Sequence, residues 1–476
     1  MRQDFNVGVS ILEVQGGKRV LIEKSQRIYQ LALDITSRFR PAAKEAWHWV
    51  QHAKARALSD VLGSGSTPPA RVMAQLEKHP DSFKLVLDER ELALRIARAS
   101  AAERIGLRED LETLRERMGQ DSTLAEYLEF RTGSALDLAD LELILNEDAS
   151  AGRQCVCIDW YAVEDRLFLI AARTGAEPQM VPLPLPLSMA RAFVADNLGP
   201  ENFRGNLLDA PEILRELDPL IAPLAQLSNP EDLLILSPTG PLHLLPLHAL
   251  EIDSEPLLAR NPIVYCPSLS VMRQCLARHR TLTNQPATAL FGDPNGDRPE
   301  AFKLMARLEQ LLVTRAFTGK DVTFKTFSEA IAGRDLIHFQ GHAVHVPGKP
   351  LDSFLALADG NLTAREIFGL SKLAAELVTL AACESAASVI AAGDEPLGLI
   401  PAFLYAGANS VLATLWRVHQ TSAALTMRIF YEQLTDRDTL LDKALSLRKA
   451  MLTVRSTPGF EAPYHWAPFV LHGSWR

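Results

Sequence analysis

Asp335-Leu336-Ile337-His338-Phe339-Gln340-Gly341-His342-Ala343 and, farther on, Leu377-Val378-Thr379-Leu380-Ala381-Ala382-Cys383-Glu384 decide the reading of this chain. Each is an apolar, strand-like run that stops at a residue able to do chemistry, His342 in the first and Cys383 in the second. In an α/β protein, residues just past the carboxyl ends of parallel strands collect in one crevice, where ligands bind. A thiol and an imidazole delivered that way form a nucleophile–base pair.

Outward from these runs the pattern repeats. Val156–Asp159 and Leu167–Ala172 flank a charged turn and predict a hairpin. Leu233–Ser237, Ile263–Cys266, Ala287–Gly292, Val322–Phe327, Phe354–Leu357 and Ser410–Leu415 are further strand candidates. Helix-length segments lie between several of them, at Ala301–Phe317, Ala364–Phe368, Leu397–Ala406, Ser422–Leu434 and Thr439–Val454. Strands alternating with helices predict an α/β fold with a mainly parallel sheet covered on its faces.

Residues 1–150 read differently. Ala46, Trp49, Val50, Ala53, Ala57 and Val61 keep a 3.6-residue period, and the pattern stops at Gly63-Ser64-Gly65-Ser66-Thr67-Pro68-Pro69. Leu107, Leu111, Leu114 and Met118 mark another amphipathic helix, with Leu92, Ile96 and Ala99 before it. This region is expected to be all-helical, either a cap or one helix pair of a repeat array.

The net charge of −9 argues against a nucleic-acid-binding surface as the main business. No apolar stretch approaches the length that spans a bilayer, and the first residues lack the layout of a signal peptide, so the cytoplasm is the expected location. Five scattered cysteines (155, 157, 266, 275 and 383) imply no disulfide framework. Four read as small buried hydrophobes; Cys383 stands apart by position.

A cysteine nucleophile needs a base and an anion-stabilising pocket. His342 is the base by position, and the backbone N–H groups of Ala343 and Cys383 are the expected oxyanion donors. His338 competes, but it sits inside the apolar run and reads as a buried supporting residue. His338, His342 and His345 together would make a metal-ligand set only weakly, because no His-Glu-x-x-His helix is present.

Five ordered blocks carry a resemblance. Ile337–His342, Leu380–Ser385, Pro396–Ala408, Val411–Trp416 and Pro463–Val470, with Ser237–His243 and Leu245–Leu247 upstream, are similar to the CHAT domain, a bacterial relative of caspases and separases often fused to tetratricopeptide repeats. Lys54-Ala55-Arg56-Ala57-Leu58 resembles the helix that links such repeats to the domain. The resemblance covers about Cys155 to Arg476. It implies a caspase-like sheet, a His342–Cys383 dyad, endopeptidase activity without metal or organic cofactor, a regulatory protein partner, and a setting in bacterial defence or cell death. It also implies a division into a helical region (1–150), a noncatalytic α/β half (151–280) and a catalytic half (281–476). The family's histidine is usually followed by Gly, whereas this chain has Ala343. A catalytically silent CHAT scaffold or sensor is the alternative; it has no need of both His342 and Cys383.

Asp394, Glu395 and Asp293 are candidates for a pocket that takes a basic P1 side chain, although each also fits a solvated turn. Trp416 and Trp466 would shape a groove or fill the core. Gly292–Asp297 lacks both the Walker ending and the EF-hand spacing and reads as a turn.

Overall fold

The computed structural model describes residues 29, 31–38, 42–63, 70–98, 103–125, 127–128, 135–148, 152–198, 203–280, 282, 285–346, 349–370, 372–382, 389–390, 396–436 and 442–476. Apart from four two-residue strands (Glu251–Ile252, Glu255–Pro256, Val389–Ile390 and Pro396–Leu397), its strands are β1 (Cys155–Val163), β2 (Arg166–Arg173), β3 (Gln179–Pro182), β4 (Leu233–Ser237), β5 (Ile263–Tyr265), β6 (Thr288–Gly292) and β7 (Ala316–Thr318). They continue with β8 (Leu336–Gln340), β9 (Ala343–Val344), β10 (Phe354–Leu357), β11 (Gly360–Thr363), β12 (Leu377–Leu380), β13 (Ser410–Thr414) and β14 (Phe469–Gly473).

Eleven of them form one sheet in the order β3-β2-β1-β4-β5-β14-β13-β12-β8-β6-β7. β1, β4, β5 and β14 are parallel, with β2 and β3 added antiparallel at one edge. β13, β12, β8, β6 and β7 make a second parallel set. β13 and β14 meet antiparallel, so the two sets point in opposite directions. Within the second set the chain leaves β6 to one side to form β7, then returns to form β8 on the other side. That reversal is a topological switch point, where open α/β sheets bind ligands.

The central strands β4, β6, β8, β12 and β13 are buried along their whole length, as strands covered on both faces must be. Helix packing is close here. A Cβ added at Gly292 would lie 2.4 Å from Met305 Cγ, so the end of β6 tolerates no side chain where the helix at Pro299–Leu311 crosses it.

The strand expected at Val322–Phe327 is instead the start of a helix, Phe324–Ala330, and the strand lies earlier, at β7. Thr323 decides this locally: its side chain accepts the Thr326 N–H as an N-cap, which starts a helix where alternation alone reads as a strand.

In the N-terminal region the helices α1 (Ala43–Gly63), α2 (Pro80–Arg98) and α3 (Glu103–Gly119), with shorter ones at Ala70–Leu76 and Leu138–Asn146, match the expected all-helical region. The buried face of α1 differs from the expected one. Ala46 and Val50 are buried, but their companions are Trp47, Gln51 and Lys54, while Trp49 and Ala53 are half-buried. The polar pair is drawn inward by partners on the sheet. Gln51 Nε2 donates to Asp159 Oδ2 (2.9 Å), and Lys54 Nζ donates to Asp159 Oδ1 (3.1 Å), Ser237 Oγ (2.7 Å) and the Ser237 carbonyl (2.8 Å). Buried charge is tolerated when it is paired and hydrogen-bonded in this way.

Candidate active site

His342 stands at the switch point, two residues past the end of β8. The intervening Gly341 permits a close approach: an added Cβ would lie 3.0 Å from both Phe339 Cζ and Pro294 Cδ. Pro294 belongs to the loop that follows β6, so that loop is pressed against the turn carrying His342.

Asp293 builds the loop. Its backbone is in the left-handed region (φ 47°), which aspartate tolerates better than most residues. Its N–H donates to the Gln340 carbonyl (2.8 Å), fixing the loop to the end of β8. Its carboxylate accepts the N–H groups of Asp297 (3.0 Å) and Arg298 (3.1 Å). The run Gly292–Asp297 is thus the turn the sequence indicates, with a consequence the sequence reading missed.

That consequence is Asp297. Its carboxylate oxygens lie 2.8 and 3.0 Å from His342 Nε2. Arg298, only 7% exposed, places Nε 3.4 Å from His342 Nε2 and Nη2 3.2 Å from Nδ1. The two ring nitrogens point apart, so one planar guanidinium meets both only by lying over the face of the ring. Burial raises the Asp297 carboxyl, but the hydrogen bond and charge of His342, with Arg298, outweigh it and hold the group below its ordinary value. A carboxylate just past the end of a buried strand was the available signal.

The other histidines have different partners. His338 is fully buried, with Nδ1 3.2 Å from the Tyr431 hydroxyl and Nε2 3.3 Å from Gln340 Oε1, and burial takes its pKa down to about 4. Tyr431 in turn donates to Thr379 Oγ1 on β12 (2.9 Å). His345 Nδ1 is 3.4 Å from Ser353 Oγ. Among the described residues no group of three His, Cys, Asp or Glu side chains is placed to hold a metal ion.

Ala343 opens β9 and pairs opposite Leu355 of β10. The Ala356 N–H donates to the His342 carbonyl (2.9 Å), which makes Ala343–Leu355 a non-hydrogen-bonded pair of the antiparallel ladder. The Ala343 N–H is therefore turned away from β10. The backbone is extended there, so the alanine in place of the family's glycine fits.

On β12 the chain is held as far as Ala382. The Ala381 N–H donates to the Phe339 carbonyl (3.0 Å), and Thr414 Oγ1 donates to the Ala382 carbonyl (2.5 Å). Cys383, Asp394 and Glu395 lie outside the described residues. The other four cysteines are buried free thiols; burial pushes Cys155 up to about 12 and raises Cys157 and Cys266 as well. Trp416 and Trp466 are core aromatics whose indole N–H groups donate to the carbonyls of Tyr464 (3.2 Å) and Glu461 (2.9 Å).

A mainly parallel sheet of this order, with an N-terminal helical region, is the caspase-like α/β class. The same fold is present in the separase of a separase–securin complex from Saccharomyces cerevisiae, which superposes on 96% of this chain and 37% of its own length with a TM-score of 0.51 at 12% identity. The chain belongs to the CHAT domain family, whose model matches residues 208–474. It is also 26% identical over 298 residues to tetratricopeptide repeat protein 28 of Homo sapiens, and 26% over 335 residues to its counterpart in Mus musculus. These matches take in 51% and 57% of this chain but only 12% and 14% of those much longer proteins. Among the described residues no helix is long and apolar enough to cross a membrane.

Proposed function

We propose that the protein is a cysteine endopeptidase in which Cys383 attacks a peptide carbonyl and His342 serves first as base, then as acid to the leaving amine. One observation carries this reading. β8 and β12 are parallel neighbours in which His338 pairs with Thr379 and Phe339 with Leu380, forty-one residues apart in each case. Forty-one residues likewise separate His342 from Cys383. A continued register would set the imidazole beside the thiol.

The Ala343 N–H, turned away from β10, supports its assignment as an oxyanion donor together with the Cys383 N–H. We assign residues 281–476 to the catalytic half, 151–280 to a noncatalytic supporting half and 1–150 to the docking of a regulatory protein partner. The likeness to a separase solved with securin supports such a partner. Asp394 and Glu395 are assigned to a pocket for a basic P1 side chain, with Asp293 shaping its wall through the loop it caps.

Cleavage of a peptide library varied at P1 tests this. Wild type is expected to cleave with a basic preference, and Cys383→Ala and His342→Ala are each expected to lose all but background turnover. Cleavage that survives either substitution would sink the dyad; an apolar P1 preference would remove the acidic pocket.

A further inference from the structure

We infer that Asp297 is the positioning residue of this site, holding His342 by Nε2 so that Nδ1 is the ring nitrogen offered to the nucleophile. The inference rests on the peptidase reading and extends it from two residues to three.

The contact is more than a surface ion pair. The His342 and Asp297 side chains are 32% and 54% exposed, and a pair so placed adds little to stability. Yet the loop that presents Asp297 is heavily built. The Asp293 carboxylate caps the N–H groups of residues 297 and 298, the Asp293 N–H is tied to the Gln340 carbonyl, and Pro294 is seated on Gly341. All of this fixes the loop after β6 against the turn after β8. A loop held that closely to one histidine is what precise orientation of an imidazole requires.

The charges supply the reason. Among the described residues, the charged groups that face His342 are Asp297 and Arg298, both from that loop. Arg298 lies over the ring and opposes a positive charge on it. Asp297 accepts the Nε2–H, which fixes the tautomer and leaves Nδ1 as the unprotonated ring nitrogen, 3.2 Å from Arg298 Nη2. When the Cys383 Sγ–H proton moves to Nδ1, the ring becomes an imidazolium between a guanidinium and a carboxylate, and the carboxylate offsets the guanidinium. The thiolate then forms the bond to the substrate carbonyl carbon, and the Nδ1 proton passes to the departing amine. Orientation and imidazolium stabilisation are the roles that a third carboxylate plays in acyl-transfer triads.

The test is the pH dependence of Cys383 alkylation by iodoacetamide in the full chain, followed by peptide mass mapping, for wild type, Asp297→Asn, Asp297→Glu and His342→Ala. In wild type the thiolate inflection should lie well below the ordinary thiol value of about 8.5. Asp297→Asn should move it upward toward that of His342→Ala and slow alkylation at neutral pH about tenfold, equivalent to about 1.4 kcal/mol in the ion pair. Asp297→Glu should restore part of the shift, which a merely structural role would not do. An Asp297→Asn profile that overlays wild type, while His342→Ala shifts, overturns the inference and leaves the dyad standing. A wild-type Cys383 with an ordinary thiol profile, unmoved by His342→Ala, overturns the dyad itself and this inference with it.

Discussion

Single residues around the strand ends set the geometry on which the account depends. Thr414 donates to the carbonyl of Ala382, the last described residue before Cys383. Thr414→Val keeps the shape and removes that bond, leaving a buried carbonyl unpaired. We expect a loss of about 1–3 kcal/mol in stability by chemical denaturation, and a lower turnover because the neighbour of the proposed nucleophile is no longer held. Gly341→Ala would drive a methyl into Pro294 and Phe339, each 3.0 Å from the added carbon. The expected cost is about 1–3 kcal/mol from overpacking, and the loop carrying Asp297 should shift with it. A variant as active and stable as wild type would show that this contact is slack. His342 was legible in the sequence because a histidine past an apolar run is conspicuous. Asp297 was not, because its meeting with His342 spans forty-five residues and depends on which strand lies next to which.

Elements were read well where local signals agreed and poorly where they conflicted. The hairpin of β1 and β2 and the strands β4, β8 and β12 appear where alternation and apolar runs place them. Val322–Phe327 failed because the Thr323 cap outweighs β-propensity in a short segment. For α1 the period was right but the face was turned, since Gln51 and Lys54 read as polar and lie buried on Asp159 and Ser237. Only the sheet supplies the partners that make this acceptable. Lys54 and Asp159 are 3% and 1% exposed, so the pair is a true interior ion pair. Breaking it from one side with Lys54→Met strands the carboxylate, and we expect a loss of about 3–5 kcal/mol. The double variant Lys54→Met/Asp159→Leu should recover most of that loss in the same denaturation measurement. Equal destabilisation in both variants would mean that packing of α1, rather than charge, dominates the joint.

At the scale of the whole molecule, the feature hidden from the sequence is the inversion at β13 and β14, where a carboxyl-terminal strand joins two oppositely directed parallel sets. β14 meets β13 across 55 to 63 residues of sequence and β5 across 207, and neither pairing leaves a local trace. Burial of histidines in the core also sets the acid stability. His248, His338 and His472 are enclosed, and burial lowers their pKa values to about 4, about 4 and about 3. Their folded values lie below the unfolded value of about 6.5, so the unfolded chain binds more protons as pH falls. The stability these histidines contribute is fully present above about pH 6.5 and drains away toward pH 4, by up to about 1.4 kcal/mol per pH unit for each. Thermal unfolding between pH 7 and pH 4.5 should show a steep drop; a flat midpoint across that range would mean that these rings are not enclosed as described.

The central claim, a His342-activated Cys383, is tested most directly by peptidyl acyloxymethyl ketones varied at P1, with the adduct located by intact mass and peptide mapping. A single adduct on Cys383 is expected, with none on the four buried cysteines, and it should disappear in His342→Ala. An adduct spread over several cysteines, or one on Cys383 that forms as fast without His342, would contradict it.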